Sequence, residues 1–227
     1  GAGTTNATAL NFGGYDGTSI VGHTEEWNAD FAYGVWATDA NLNTARSDLS
    51  GSTSGTTTAS IAFGGGITPA TTLNELYNGT SWGELNDLNT ARQQLGGAGT
   101  STAALAFGGA TPPSKQAINE SWNGTAWTEV GDLNTARNFP TGVGTSTAAL
   151  SFGGNSSADP REEVTEQWNG SAWTEVGDLN VGREQIGGAG TSTAALGFGG
   201  NAPPAVANNE SWNGTSWTEV NDLNQIS

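Results

Sequence analysis

A Phe-Gly-Gly triplet begins at Phe12, Phe63, Phe107, Phe152 and Phe198, at intervals of 51, 44, 45 and 46 residues, and divides the chain of 227 residues into five units. Each unit reads as four short strands, and no segment sustains the three-and-four apolar spacing of a helix. Together these features predict an all-β fold, a five-bladed β-propeller with four antiparallel strands per blade. A ring of blades is the arrangement in which repeats of about 40 to 50 residues protect the edges that isolated four-stranded sheets leave open. One domain is expected over 1–227, with blades near 1–41, 46–88, 92–133, 137–179 and 183–227.

The third unit shows the strand pattern most plainly. A Gly-rich strand from Leu95 to Gly99 leads through Thr100-Ser101-Thr102 into Ala103 to Phe107, which Gly108-Gly109 ends. Ile118 to Trp122 and Ala126 to Val130 follow, joined by Asn123-Gly124, a pair that tolerates the positive φ of a tight hairpin. The same pair recurs at Asn78, Asn169 and Asn213. All four also satisfy the N-glycosylation sequon, but turn chemistry explains them without it. Each unit carries an aromatic before Asn (Trp27, Tyr77, Trp122, Trp168, Trp212) and a second Trp (Trp36, Trp82, Trp127, Trp173, Trp217). These rings are expected to pack between blades, with burial stabilising by about 1.5 to 3 kcal/mol each. The minority reading makes some of Trp27, Trp122, Trp168 and Trp212 platforms for sugar stacking.

Composition narrows the partners. Only 34% of residues are apolar, while Gly reaches 35 copies and Trp 9, so the core must rest on a few large rings between thin backbones. A net charge of -16 repels phosphate backbones and anionic lipid, so neither nucleic acid nor membrane insertion is expected. No signal or transmembrane segment is legible in the sequence. Without Cys, and with His23 as the only His, thiolate and His-rich metal sites are unavailable, and no metal or cofactor is expected. His23 is expected on a surface loop. The Asp at Asp87, Asp132, Asp178 and Asp222 reads as an acceptor at a turn or strand end.

In most units, the double Gly after an apolar strand is followed about a dozen residues later by an aromatic, then Trp five on and Arg ten beyond. This pattern resembles the kelch repeat, and the resemblance spans all five units. The first unit departs from it: residues 29–35 enlarge a loop, and Asn41 replaces the recurrent Asp. Copper oxidases of kelch architecture need Cys, Tyr and His ligands that this chain cannot supply. Wording such as Gly99 to Gly109 followed by Glu120 to Val130 is also similar to repeat segments in structural proteins of bacterial viruses and aquatic microbes.

Comparison between units locates the expected binding surface. From the second Trp to the next Phe the spacing is 27, 25, 25 and 25, whereas from Phe to the second Trp it is 24, 19, 20, 21 and 19, with dissimilar residues between. Variation therefore collects in the loop between second and third strands, and such loops share a face with the crossings between blades. Loop positions Tyr15, Asp16, His23, Thr68, Lys115, Gln116, Asp159, Arg161 and Asn201 are taken as the ligand-binding face, with Arg46, Arg92, Arg137 and Arg183 at the crossings. A ring of Arg could clamp an anionic group. The structural alternative, weighted above it, pairs each Arg with an acid of a neighbouring blade. No catalytic residue is assigned.

The expected function is a non-catalytic binding module for a glycan or protein surface, with an attachment or decorating domain of a virus particle or secreted assembly as its expected setting, extracellular or virion-associated. The alternatives are a purely structural component of a virion or filament, and a hydrolase or lyase acting on polysaccharide. Ring closure is expected at the junction of the fifth and first blades, with both termini meeting there. Gln225-Ile226-Ser227 stand where a fifth Arg-bearing crossing would lie, so this junction should be the weakest.

Overall fold

The computed structural model describes residues 2–5, 8–28, 35–66, 69–202 and 206–223. The protein is a five-bladed β-propeller of four-stranded antiparallel sheets, each with its strands in sequence order. The first blade comprises Ala2–Thr5, Thr8–Tyr15, Ile20–Asn28 and Val35–Asp39, and the second Ser50–Gly51, Ser60–Phe63, Asn74–Tyr77 and Trp82–Glu84. The third uses Gly96–Thr100, Ala103–Phe107, Asn119–Trp122 and Trp127–Val130, and the fourth Thr141–Thr145, Ala148–Phe152, Thr165–Trp168 and Trp173–Glu175. The fifth uses Gly187–Gly190, Ala195–Phe198, Asn209–Trp212 and Trp217–Val220. The last blade thus draws all four strands from its own repeat, with no strand supplied by the N-terminus. Where the two chain ends lie falls outside the described residues.

The innermost strands are Gly-rich because neighbouring backbones meet at the axis. A Cβ on Gly142 would lie 2.2 Å from the Gly97 carbonyl oxygen, and one on Gly97 would lie 2.6 Å from that of Gly51. Between blades, the Phe of the second strand in the first four blades meets the second Trp of the next blade. Phe12–Trp82, Phe63–Trp127, Phe107–Trp173 and Phe152–Trp217 have centroid separations of 4.8 to 5.0 Å. Within a blade the two Trp, or Tyr77 and Trp82, sit 5.2 to 5.7 Å apart. Such tilted and edge-on pairs add to the area they bury.

The seam between the fifth and first blades differs from the other four. Trp36 is 49% exposed where Trp82, Trp127, Trp173 and Trp217 are 5 to 6% exposed, and Leu196 is 41% exposed where Leu105 and Leu150 are fully buried. A groove of about 290 Å³ runs along this side of the fifth blade, beside Leu196 and Trp212.

Candidate functional site

The four arginines are structural. Arg46, Arg92, Arg137 and Arg183 have no exposed surface, and their guanidinium groups pair with Glu75, Glu120, Glu166 and Glu210, themselves at most 1% exposed. Arg92 and Arg183 show the pattern most fully, each Nη1 donating also to two carbonyls, of Gly108 and Ile118 and of Gly199 and Asn208. The other oxygen of each Glu accepts from the backbone N–H of the Asn three residues before the Arg: Asn43, Asn89, Asn134 and Asn180. The clamp for an anionic ligand, expected as one use of this ring, is therefore not on the surface. The Glu lies on the third strand of the blade that the crossing enters, within the same repeat as its Arg rather than across a seam. It is the Arg backbone that holds the preceding blade: the carbonyls of Arg46, Arg92, Arg137 and Arg183 accept from Gly14, Gly65, Gly109 and Gly154.

Other polar positions also serve the frame. Asp87, Asp132 and Asp178 each accept from the first N–H of a third strand, at Asn74, Asn119 and Thr165. Trp122, Trp168 and Trp212 are 1 to 2% exposed, and each Nε1 donates to a turn carbonyl, which removes them as sugar platforms. Burial and the Asp39 carboxylate, to which its hydroxyl donates, push the Tyr77 phenol well above its usual range, so it stays protonated. Among the described residues no three His, Asp or Glu side chains are close enough to hold a metal ion.

Loops and crossings do meet on one face. Antiparallel bridges join Ser47 to Gly66, Gln93 to Ala110, Arg137–Asn138 to Asn155–Ser156, and Glu184 to Asn201. The Lys115 ammonium donates to the Asn155 side chain and the Ser156 carbonyl in the next blade. The Asn155 amide reaches Glu184 at 3.1 Å, and Asn201 reaches the same carboxylate at 3.3 Å. Lys115, Asn155, Glu184 and Asn201 thus form one polar belt across three blades. Gln116 is built into the frame through its backbone, its N–H donating to Gly109 and its carbonyl accepting from Arg137.

The remaining positions are separate. Tyr15 is 64% exposed beside Asp16, whose carboxylate accepts from the backbone N–H of Ser19 and Thr18; those bonds hold its pKa below the usual carboxylate value. His23 is exposed but lies within the strand Ile20–Asn28, not on a loop, because the first blade extends its second and third strands beyond the Gly-Gly. Asp159 caps its own turn by accepting from the N–H of the half-buried Arg161. Thr68 lies outside the described residues.

Sequence reasoning missed the innermost ring of this face. Asp48, Gln94, Phe139 and Gln185, each two residues after a crossing Arg, have φ of 54°, 58°, 55° and 56°. They rim a cavity of about 420 Å³ at the axis, with Ser50, Thr53 and Thr141 deeper among its walls. The Gln94 N–H donates to the Asp48 carbonyl and the Phe139 N–H to that of Gln94, both at 2.7 Å, so successive crossings are linked around the rim. The signal was present: these positions keep a fixed spacing from Arg while their chemistry changes, but the comparison between units weighed loop length.

No protein-family model matches the chain, and no curated protein is found similar to it.

Proposed function

We propose that the chain is a non-catalytic, kelch-like binding module that recognises a glycan or protein surface through the face carrying the variable loops. The observation that carries this reading is the convergence of those loops with the blade crossings on one face, tied together by the bridges at Gly66, Ala110, Asn155 and Asn201. Rigid strands hold loops of unlike sequence there, which is how recognition surfaces are commonly built. A role in attachment or decoration of a virus particle or secreted assembly, outside the cell, fits the acidic composition and the repeat wording. Four of the six cations are spent in buried pairs, and Tyr77 is held protonated, which weighs against the hydrolase alternative. Glycan-array binding that disappears when one loop sequence is grafted into all five variable positions is the expected result. Tight association with a particle or filament but with no glycan would instead favour the structural reading, and turnover of any polysaccharide in a broad panel would sink the non-catalytic one.

A further inference from the structure

The axial rim has a conformation that its residues do not favour. Residues with side chains rarely adopt φ near +55°, and a bulky one such as Phe139 does so only against steric cost. Glycine would sit there freely, and this chain places glycine at 18 positive-φ positions among the described residues. Yet the four equivalent rim positions hold Asp, Gln, Phe and Gln. The residues around them are constant in kind: Arg two before, and Leu49, Leu95, Pro140 or Ile186 directly after. A side chain retained at the one position where its absence would relieve strain, and varied in chemistry there, serves something other than the frame.

That side-chain ring opens on a cavity with a floor. The second repeat carries two extra residues between Trp36 and Phe63, and they fall in its innermost turn. There the Ser54 N–H donates to the Gly99 carbonyl at 2.8 Å, and its hydroxyl to that of Gly144 at 3.2 Å. These bonds tie three blades together just beyond the depth at which Gly97 and Gly142 line the cavity. Beside this floor the Thr53 Oγ1 is buried without a hydrogen-bond partner. Such an atom costs stability unless a partner arrives.

We propose that this axial cavity is the sugar subsite of the recognition face, taking one neutral hexose or N-acetylhexosamine unit; the inference rests on the binding-module reading above. The lining supplies donors and acceptors without net cation: the Gln185 amide, the Ser50 hydroxyl, the Asp48 carboxylate and the Thr141 hydroxyl, which donates to the Ile186 carbonyl and can still accept, while the Gln94 amide is held in place between Asp48 and Asn138. Phe139, half-buried at the rim, offers a ring against which the C–H face of a pyranose can lie. The volume is that of a small-ligand pocket. Asp48 at the rim and the net charge of -16 select against sialic and uronic acids.

The test titrates the full chain with glucose, galactose, mannose, N-acetylglucosamine and N-acetylgalactosamine, read by saturation-transfer NMR and calorimetry, alongside a glycan array. Phe139→Gly and Gln185→Gly relieve the backbone, so each variant should melt no lower than the parent while losing at least tenfold in affinity for the bound sugar. The control Thr125→Ala, on an exposed Asn-Gly turn of the opposite face, should bind within about threefold of the parent. If the sugar binds equally well to the glycine variants, or loses affinity only in the grafted loops, the axial subsite is overturned and the recognition face survives. Array binding without any neutral-sugar titration has the same meaning. A silent array together with silent titrations overturns both, and loss of binding accompanied by a large fall in melting temperature shows that the rim side chains serve the frame.

Discussion

At the scale of single residues, the dominant fact is that four full charges pairs are buried in a chain of modest apolar content. Desolvation lowers the basicity of Arg92, and the neighbouring Glu120 opposes that shift. A pair of this kind contributes little net stability, yet removing one member strands the other. Arg92→Leu should therefore destabilise by about 3 to 5 kcal/mol in urea unfolding, while Arg92→Leu with Glu120→Leu should cost clearly less than the sum of the two single changes. An additive double mutant would show that the pair is not coupled. Tyr77 gives a pH signature: its folded pKa is raised, so the stability it confers is complete below its unfolded value of about 10 and is lost as pH rises above that. Tyr77→Phe should flatten the alkaline limb of a melting-temperature profile. Asp16 acts in the opposite sense. Its lowered pKa means that its turn should hold above about pH 4 and loosen as pH falls through the folded value, read from the Thr18 and Ser19 amide shifts.

At the scale of strands and turns, glycines divide by what surrounds them. Gly142→Ala drives a Cβ into the carbonyl of Gly97 and should cost about 1 to 3 kcal/mol or more, whereas Gly83 in an outer strand has nothing within 4 Å of a Cβ and Gly83→Ala should stabilise by about 0.5 to 1 kcal/mol. Equal effects of the two changes on denaturation midpoint would contradict the crowded-axis account. Strand order and the Asn-Gly hairpins were legible in the sequence because both depend on local signals: period, turn residues and the recurrence of Phe-Gly-Gly. The packing and pairing partners were half legible. Repetition of Phe and Trp announces packing, but nothing local says that Glu120, rather than any Asp nearby, accepts from Arg92, since that choice depends on the register Phe107 to Asn119 across a variable loop. The left-handed rim was illegible for a related reason. Gln and Phe carry no propensity for positive φ, so only the surrounding bonds at Gln94 and Phe139 impose it.

At the scale of the whole molecule, four seams are sewn alike and the fifth is not. Exposed Trp36 and Leu196 mark a junction with less burial than its neighbours, so local opening should begin there. Amide hydrogen exchange should be fastest in the first and fifth blades and slowest in the third and fourth, and uniform protection around the ring would refute this. The arginine clasp has a consequence for how the chain is made. Each Arg precedes its Glu partner by 27 to 29 residues, while its own backbone completes the blade already behind it. On the ribosome a blade is therefore clasped only after the start of its successor has emerged, and the new guanidinium stays hydrated until its own third strand arrives. Assembly runs from the N-terminus one blade behind synthesis, so a nascent chain stalled just before Arg137 should carry a third blade whose strands are all present but whose Gly109 turn is not yet fastened.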